Sequence, residues 1–374
     1  MRRIVSILFL IAGCLASVAQ VNDTGWPLFR GRADLSGRTD FEFPVSPTLL
    51  WSVSTGVRTK SSPVVSDGMI YFGNDKGTLT AITTDGSIKW RFEAEKSIEA
   101  PPLVYDRMVI FGDNYGVLRA IDMETGKLRW SYTTENQISG SANVWRSGSR
   151  AGIIVGSYDF YLHCVDPATG KLLWKIETDN YVNGTPAVSG NRIVFGGCDG
   201  VVRIVDPLTG RQNDTVNIGV YLASSASVFP DVAYLGDYDG TVYALNLSTR
   251  KLLWKIQAGR ESAPIMSTPA IGRNEVIVGS DDKYLYSYNQ SDGKMRWSFR
   301  TNGRVTGSPV VSQTKVLFSS TDGFVYLLEL QKGSKIWSFN AGTPVSSSPA
   351  VTKERFYILT EDGRLLAFGT KPQK

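Results

Sequence analysis

Histidine is almost absent from this chain of 374 residues, since His163 is its single copy, and cysteine occurs only three times. One imidazole excludes metal centres and acid–base sites that need several histidines. The three cysteines, at positions 14, 164 and 198, offer no disulfide framework. The formal net charge is a mild +5, which gives no reason to expect nucleic acid as a partner.

Long hydrophobic runs are also missing, because no stretch reaches the roughly 18 apolar residues of a membrane helix. The N-terminus instead has a short basic start and a short apolar run over Ile4–Ala12, which is the pattern of an export signal. Cleavage after Ala19 would define a signal peptide over residues 1–19. Alternatively, Ile11–Cys14 resembles a lipobox, which would end the signal at residue 13 and leave Cys14 lipidated. Either reading predicts an exported protein, in the periplasm, on the outer membrane as a lipoprotein, or secreted.

Seven of the nine tryptophans recur at one position of an internal repeat, namely Trp51, Trp90, Trp130, Trp174, Trp254, Trp297 and Trp337. Consecutive members are 39, 40, 44, 80, 43 and 40 residues apart, and the long interval hides one repeat with Asp214 in the tryptophan position. A period near 40 is typical of β-propeller blades. Apolar residues alternate along the repeats, which excludes a helical solenoid.

Each repeat is predicted to form four strands, which we call A to D. Strand A, for example Ser61–Val65, contains small residues and proline, as expected for the innermost strand with one edge facing a central channel. Strand B is apolar, and a turn such as Asp239–Gly240 leads into strand C. A second turn such as Thr125–Gly126 leads into strand D, which carries the tryptophan.

The A–B–C set occurs eight times, but only seven sets are followed by a strand D. Residues 49–53 resemble the missing strand, so we expect the N-terminal strand to complete the last blade. The prediction is an all-β, eight-bladed β-propeller of four-stranded antiparallel blades over residues 48–370. An entry segment over 20–47 precedes it and a tail over 371–374 follows it. Closure leaves only short edges, so we expect a monomer.

Two repeats carry a family resemblance. Ala120–Trp130 and Cys164–Trp174 resemble the tryptophan-docking repeat of the quinoprotein, or PQQ-like, β-propellers, and Trp26–Gly31 resembles their entry segment. The resemblance implies that the seven tryptophans dock neighbouring blades. The Asp214 repeat departs from the pattern, so one blade junction should pack differently.

The resemblance implies two alternatives for function. One branch of the family contains PQQ-dependent dehydrogenases, with the quinone and calcium near the axis and an adjacent cysteine pair. The other is non-catalytic and includes a lipoprotein of the outer-membrane β-barrel assembly machinery. Because adjacent cysteines are lacking and the chain is short, we expect a non-enzymatic scaffold without cofactor that binds a protein partner. A PQQ-dependent dehydrogenase and a glycan-binding propeller with exposed aromatic platforms stay open as alternatives.

Acidic residues fill the turns between strands B and C, where Asp and Asn tolerate the required backbone angles. Asp237 and Asp239, in Gly236–Gly240, superficially resemble a calcium loop, but the downstream bidentate Glu of such a loop is missing. We therefore expect no metal site, with these two residues as the only candidates.

The loops from strand D to the next strand A open on the same face as the acidic turns. They mix cations, aromatic residues and apolar residues, a composition enriched at protein interfaces. The predicted partner surface comprises Arg58, Lys60, Tyr181, Tyr221, Arg260, Ile265, Met266 and Arg304, with Ile265 and Met266 expected to be exposed. We expect membrane association only through a possible lipid anchor.

No candidate catalytic group emerges. His163 and Cys164 fall in a strand C without a nucleophile or second ligand beside them, so both are expected to be structural, and Cys198 is expected to be inert. No serine-hydrolase elbow, phosphate-binding loop, zincin motif or paired-cysteine zinc motif occurs.

Overall fold

The computed structural model describes residues 25–222, 224–259 and 262–371. The expected signal peptide and Cys14 lie outside the described residues, as does Arg260. The strands are β1 (Thr48–Ser54), β2 (Val64–Ser66), β3 (Met69–Phe72), β4 (Thr78–Thr83), β5 (Ile88–Glu93), β6 (Leu103–Tyr105), β7 (Met108–Gly112), β8 (Val117–Asp122), β9 (Leu128–Thr133), β10 (Asn143–Ser147), β11 (Arg150–Gly156), β12 (Tyr161–Val165), β13 (Leu172–Glu177), β14 (Ala187–Ser189), β15 (Arg192–Gly196) and β16 (Val201–Val205).

The second half of the ring continues with β17 (Gln212–Asn217), β18 (Ser227–Val228), β19 (Val232–Gly236), β20 (Thr241–Asn246), β21 (Lys251–Gln257), β22 (Ala270–Ile271), β23 (Glu275–Gly279), β24 (Tyr284–Asn289), β25 (Met295–Arg300), β26 (Val310–Val311), β27 (Lys315–Ser319), β28 (Phe324–Glu329), β29 (Lys335–Asn340), β30 (Ala350–Val351), β31 (Arg355–Leu359) and β32 (Arg364–Gly369). None of these elements is a helix, and the described chain accordingly offers no helical segment able to cross a bilayer.

Eight four-stranded antiparallel sheets form the blades of a β-propeller, which confirms the predicted fold. Blade 1 is β2–β5, blade 7 is β26–β29, and the blades between them follow in chain order. Blade 8 combines β30, β31 and β32 with β1, whose Trp51 pairs with Ala367 and whose Leu49 pairs with Phe368. The N-terminal strand therefore closes the ring as predicted. The core consists of apolar clusters between adjacent blades, such as the cluster shared by blades 5 and 6.

The alternation of strand directions gives the disc two faces. The B–C turns and the D–A loops lie on one face, which we call the upper face, and backbone hydrogen bonds such as Tyr238 N to Tyr221 O (2.9 Å) join them. The A–B turns and the C–D turns lie on the opposite, lower face. This division places the acidic turns and the predicted partner loops together.

Hydroxyl groups join the innermost strands around the axis. The backbone N–H of Thr185 donates to Ser225 Oγ at 2.8 Å, and that of Ser308 donates to Ser348 Oγ at 2.9 Å. Ser348 N donates to Ser62 Oγ at 2.8 Å, which links blade 8 to blade 1. The small residues of strand A thus satisfy the free edge of the neighbouring strand as well as fitting the crowded axis.

Six of the repeat tryptophans dock on the next blade. The indole N–H of each donates to a backbone carbonyl of the following C–D turn at 2.8–3.1 Å, in Trp51, Trp90, Trp130, Trp174, Trp254 and Trp297. A glycine with positive φ lies over each ring, and a Cβ on Gly170 would come within 2.6 Å of Trp130. Trp337 faces blade 8, which has no C–D turn, and packs against Phe356 and Phe368.

The entry segment crosses the lower face and contacts every blade in turn. Its carbonyl groups accept hydrogen bonds from the ends of the strands at position A, including Val65 N to Trp26 O (2.8 Å) and Val311 N to Gly37 O (2.9 Å). Phe43 completes the circuit against Phe356 of blade 8. Arg30 is buried at the centre and donates to the carbonyl groups of Pro269 and Pro309. The segment therefore acts as a plug that binds the blades together.

Candidate functional site

The upper face divides into two halves of different chemistry. Of the predicted partner residues, Arg58, Lys60 and Arg304 belong to one half, whereas Tyr181 and Tyr221 belong to the other. The first half covers blades 6, 7, 8 and 1, and the second covers blades 2 to 5.

Each of the three predicted partner cations in the first half forms an ion pair. Arg58 lies 3.9 Å from Glu361, Lys60 lies 3.2 Å from Glu99, and Arg304 lies 3.6 Å from Asp281. Burial raises the pKa of Asp281 and outweighs the opposite effect of Arg304. An incoming partner would have to displace these carboxylates before it could pair with the three cations.

Exposed aromatic side chains characterise the second half. We call them the aromatic arc, and they are Tyr115 (60% exposed), Phe160 (41%), Tyr181 (38%), Tyr221 (57%) and Tyr238 (55%). Tyr158 stacks on Tyr181 with ring centroids 4.4 Å apart, and Phe160 packs against the same ring at 5.3 Å. The arc therefore includes a supported aromatic cluster between blades 3 and 4.

Sequence reasoning missed Tyr115, Phe160 and Tyr238, which lie in the B–C turns. A comparison of the same turn position across all repeats would have found Phe160, because it replaces a glycine that six other blades carry. Phe160 has a φ of 74°, a left-handed conformation that side chains other than glycine rarely adopt. A bulky, exposed aromatic residue is thus held in a strained backbone position.

The expectation that Ile265 is exposed is wrong, whereas Met266 is 42% exposed. Ile265 is fully buried, and its side chain fills the space above Gly236, where a Cβ would lie 2.3 Å from the isoleucine. Ile98 and Ile138 take the same position over Gly73 and Gly112. The residue before strand A is therefore a packing position in these repeats.

The acidic turns are held by the strands that follow them. Asp237 accepts hydrogen bonds from Thr241 N (2.7 Å) and from the hydroxyl of Tyr243 (2.7 Å), and its side chain is fully buried. Equivalent pairs join Asp282 to Tyr286 at 2.6 Å and Asp322 to Tyr326 at 2.8 Å. Among the described residues no group of three or more His, Cys, Asp or Glu side chains could hold a metal ion. Both oxygens of Asp237 are engaged, so a calcium site with Asp239 is not supported.

His163 takes the corresponding position in blade 3. With a proton on Nε2 it donates to Asp159 at 3.0 Å, and Nδ1 accepts from the hydroxyl of Tyr132 in blade 2 at 2.9 Å. Burial alone would raise the pKa of Asp159, but its hydrogen bond with His163 lowers it overall. Arg119 and Arg203 fill this position in blades 2 and 4 and pair with Asp113 and Asp199. The histidine joins two blades.

The two cysteines of the described chain differ from each other in burial. Cys164 is buried and accepts a hydrogen bond from the indole of Trp145, and burial raises the pKa of its thiol to about 12. Cys198 is partly exposed in an upper turn, and burial raises its thiol pKa as well. Thiols with a raised pKa contain little reactive thiolate at neutral pH.

The axial funnel is the place where a calcium-bound quinone would have to bind. It encloses about 200 Å³ and is lined chiefly by the hydroxyl groups of strand A, with Phe29 of the entry segment among its lining residues. No lining residue carries a carboxylate, which is the ligand that calcium prefers. Several of the hydroxyls already accept strand N–H groups. The residues present do not fit this cofactor.

Comparisons with known proteins place the chain among PQQ-like propellers. A family model described as "Outer membrane protein assembly factor BamB" matches residues 45–151, 144–260 and 238–371. A quinohemoprotein alcohol dehydrogenase, ADH IIB from Pseudomonas putida, is 30% identical over 96 residues, or 24% of this chain and 13% of that protein. Outer membrane protein assembly factor BamB from Salmonella typhimurium is 29% identical over 96 residues, or 24% of each.

The match therefore spans less than a quarter of the length of either curated relative. The crystal structure of BamB from Moraxella catarrhalis superposes with a TM-score of 0.73 at 20% identity and covers 88% of this chain and 99% of that chain, which supports the fold. Because the matched segments of the family model together cover most of the sequence, the chain belongs to the family of PQQ-like propeller repeats described as outer membrane protein assembly factor BamB.

Proposed function

We propose that this protein is a non-enzymatic binding and scaffold propeller of the bacterial cell envelope, which engages a protein partner as in outer-membrane protein assembly. The export signal predicted from the sequence and the membership in a family named after an assembly factor support this role. The observation that carries the proposal is the aromatic arc, because a cluster of exposed aromatic side chains on one face is typical of a protein-binding surface.

The chemistry around the arc indicates what the partner presents. The upper loops and turns of blades 3, 4 and 5, at residues 134–139, 157–160, 178–183, 197–200, 218–222 and 237–240, contain no lysine or arginine. Exposed carboxylates lie among the aromatic rings at Glu135, Asp179 and Asp239. Aromatic faces and carboxylates both attract cations. The complementary surface is therefore one rich in Lys and Arg.

Affinity capture from envelope extracts tests the proposal with matched variants. The first replaces Tyr181, Tyr221 and Tyr238 by serine, and the second replaces Arg58, Lys60 and Arg304 by alanine. We expect the partner to be retained by the wild-type protein and by the second variant, and to be lost with the first. Equal retention by all three proteins would remove the arc as the binding surface.

A glycan is the second candidate ligand, because the same exposed aromatic rings could stack on sugar rings. Replacement of Glu135, Asp179 and Asp239 by the corresponding amides separates the two. Loss of the carboxylates should weaken binding of a cationic protein surface and leave stacking on a neutral glycan unchanged. Binding of soluble cell-wall glycan by both forms would favour the glycan.

The dehydrogenase alternative has its own test. A ligand that binds the native state must raise the melting temperature, so PQQ with calcium should stabilise a quinoprotein. We expect no change in the melting temperature, because the funnel lacks carboxylate ligands for the metal. A saturable increase would establish a quinone site and contradict the non-enzymatic role.

A further inference from the structure

A second exposed surface lies at the lower edge of the disc, away from the arc. The described part of the chain exposes fourteen large hydrophobic side chains, and half of them lie where a strand D begins, next to a C–D turn. They are Ile88, Leu128, Leu172, Leu173, Leu252, Leu253 and Met295. We call this ring of turns and strand starts the lower rim. Its exposed apolar residues are all aliphatic, whereas those of the aromatic arc are all aromatic.

Exposed cations lie beside these aliphatic residues. Lys89, Lys127, Lys171, Arg211, Lys251 and Lys335 occupy the rim on six blades and are exposed. Within the described ranges these six side chains take part in none of the ion pairs, whereas other rim cations such as Arg129 and Arg296 pair with Asp122 and Glu275. The rim therefore carries six exposed cations without an ion-pair partner, beside exposed carboxylates such as Asp85 and Glu124 on the same turns.

The path of the chain puts the lower rim on the side from which the N-terminus leaves. Trp26 pairs with Val65, which lies at the lower end of a strand A, and a Cβ on Gly25 would touch the Val65 carbonyl. Only ten residues separate Gly25 from Cys14, and they span at most about 35 Å when extended. A lipid on Cys14 would consequently hold the lower face towards the membrane.

Exposed aliphatic groups beside lysine and arginine are the combination that binds membrane interfaces, where cations meet anionic headgroups and apolar side chains enter the acyl boundary. The upper loops and turns of blades 3 to 5 lack this combination, because they carry carboxylates and no cations. The part of the upper face that holds the aromatic arc therefore differs from the lower rim in charge and in the type of apolar group.

We propose that the lower rim docks on an anionic lipid surface and orients the disc with the aromatic arc facing away from the membrane. Lysine ammonium groups of the rim would contact headgroup phosphates, and the leucines beside them would enter the interface. This docking does not require the lipid anchor, since the rim supplies its own attraction. It is also independent of the identity of the protein partner.

Vesicle binding tests the proposal with the exported chain carrying Cys14→Ser, so that no lipid can tether it. Vesicles of phosphatidylglycerol with phosphatidylcholine are compared with vesicles of phosphatidylcholine alone. The rim variant reverses Lys127, Lys171 and Lys251 to glutamate. The matched control reverses Lys76, Lys96 and Lys283, three exposed lysines of the upper face, and so changes the net charge equally. A third variant, with Leu128, Leu172 and Leu252 replaced by serine, tests the apolar contribution.

We expect salt-sensitive binding to the anionic vesicles only. Each lysine near an anionic surface contributes about a fivefold increase in affinity, so reversal of three should weaken binding at least about 100-fold, and the control should bind like the parent. The serine variant should bind more weakly at every salt concentration. If the reversed proteins unfold, Lys→Gln at the same positions serves instead. Equal loss in rim and control variants, equal binding to both vesicle types, or no binding would overturn the proposal.

Discussion

Arg250 of blade 5 contacts the carboxylate of Asp214 in blade 4. At six other blade junctions a tryptophan lies against a turn glycine instead, and the junction of Trp337 is the remaining exception. Both partners of the usual contact are replaced together. Arg250 keeps the left-handed turn geometry with a φ of 60°, although it has the Cβ that the glycine lacks. The ion pair has thus taken over the docking role at this one junction.

The paired replacement predicts strong coupling between the two positions. Asp214→Trp alone should destabilise the fold, because the indole meets the Arg250 side chain and leaves the guanidinium unpaired. Adding Arg250→Gly should restore the stability, because glycine opens the surface on which the other tryptophans lie. A double-mutant cycle of free energies of unfolding should give a coupling of about 1–3 kcal/mol. Additive single effects would show that the two residues do not form one contact.

The glycine under each docked tryptophan gives a second prediction, with a control in the same chain. Gly170→Ala places a Cβ 2.6 Å from the ring of Trp130, whereas Gly342→Ala meets nothing within 4 Å. Both residues have a positive φ, so both substitutions carry the same backbone cost. Gly170→Ala should cost about 1–3 kcal/mol more because of overpacking, as measured by chemical denaturation. Equal losses would mean that the ring moves aside freely.

The strained Phe160 predicts a conflict between stability and binding. Phe160→Gly should raise the free energy of unfolding by about 1 kcal/mol, because glycine adopts the left-handed conformation without strain. Under the proposed function the same change should weaken capture of the protein partner, because it removes one ring of the arc. Lys283 has a φ of 76° at the equivalent turn of blade 6, so Lys283→Gly should bring a similar gain in stability and leave binding intact. A Phe160→Gly protein that binds normally would argue against a role for this ring.

The ring closure was predictable from sequence because the repeat is counted directly: eight A–B–C sets and seven D strands leave one strand to be found. The path of the entry segment was not. Its contacts are made mainly by backbone carbonyls, from Trp26 to Gly37, and backbone groups leave no residue pattern. Nothing in the sequence around Arg30 indicates that this arginine is buried at the axis.

The upper face was harder to predict for a related reason. Periodicity indicates which residues share a face, and it correctly grouped the turns with the D–A loops. It does not show which exposed cations also pair with a carboxylate, as Arg58 and Arg304 do. Ile265 was misjudged because an apolar residue in a loop carries no sign of burial until the neighbouring Gly236 is seen to make room for it.

Arg30 gives a prediction for the plug. Burial lowers the pKa of its guanidinium to about 9, and its donors reach the carbonyl groups of Leu35, Pro269 and Pro309. Ser227 also donates to the Leu35 and Pro269 carbonyls, so Arg30→Met should leave the Pro309 carbonyl without a donor and cost about 1–3 kcal/mol, as expected for one buried unsatisfied group. Arg32→Met is the matched control, because Arg32 is half exposed and forms only a 3.5 Å pair with Asp34. Similar unfolding curves for the two variants would show that the segment does not depend on its central arginine.

The hydrogen bonds of His163 to Tyr132 and Asp159, which link blades 2 and 3, predict how the stability changes at acid pH. The folded pKa of Asp159 lies below its ordinary value of 3.8, so the unfolded chain binds the proton first. The contribution of Asp159 to stability is therefore complete above about pH 4 and is lost as the pH falls through the folded pKa. Asp159→Asn should lower the stability at neutral pH and make its decline below pH 4 shallower than in the wild type. Asp281, whose pKa burial raises, has the opposite sign, so Asp281→Asn should make the acid decline steeper. Denaturation curves measured from pH 6 to pH 3 distinguish the two, and the same slope in both variants would contradict the opposite pKa shifts of Asp159 and Asp281.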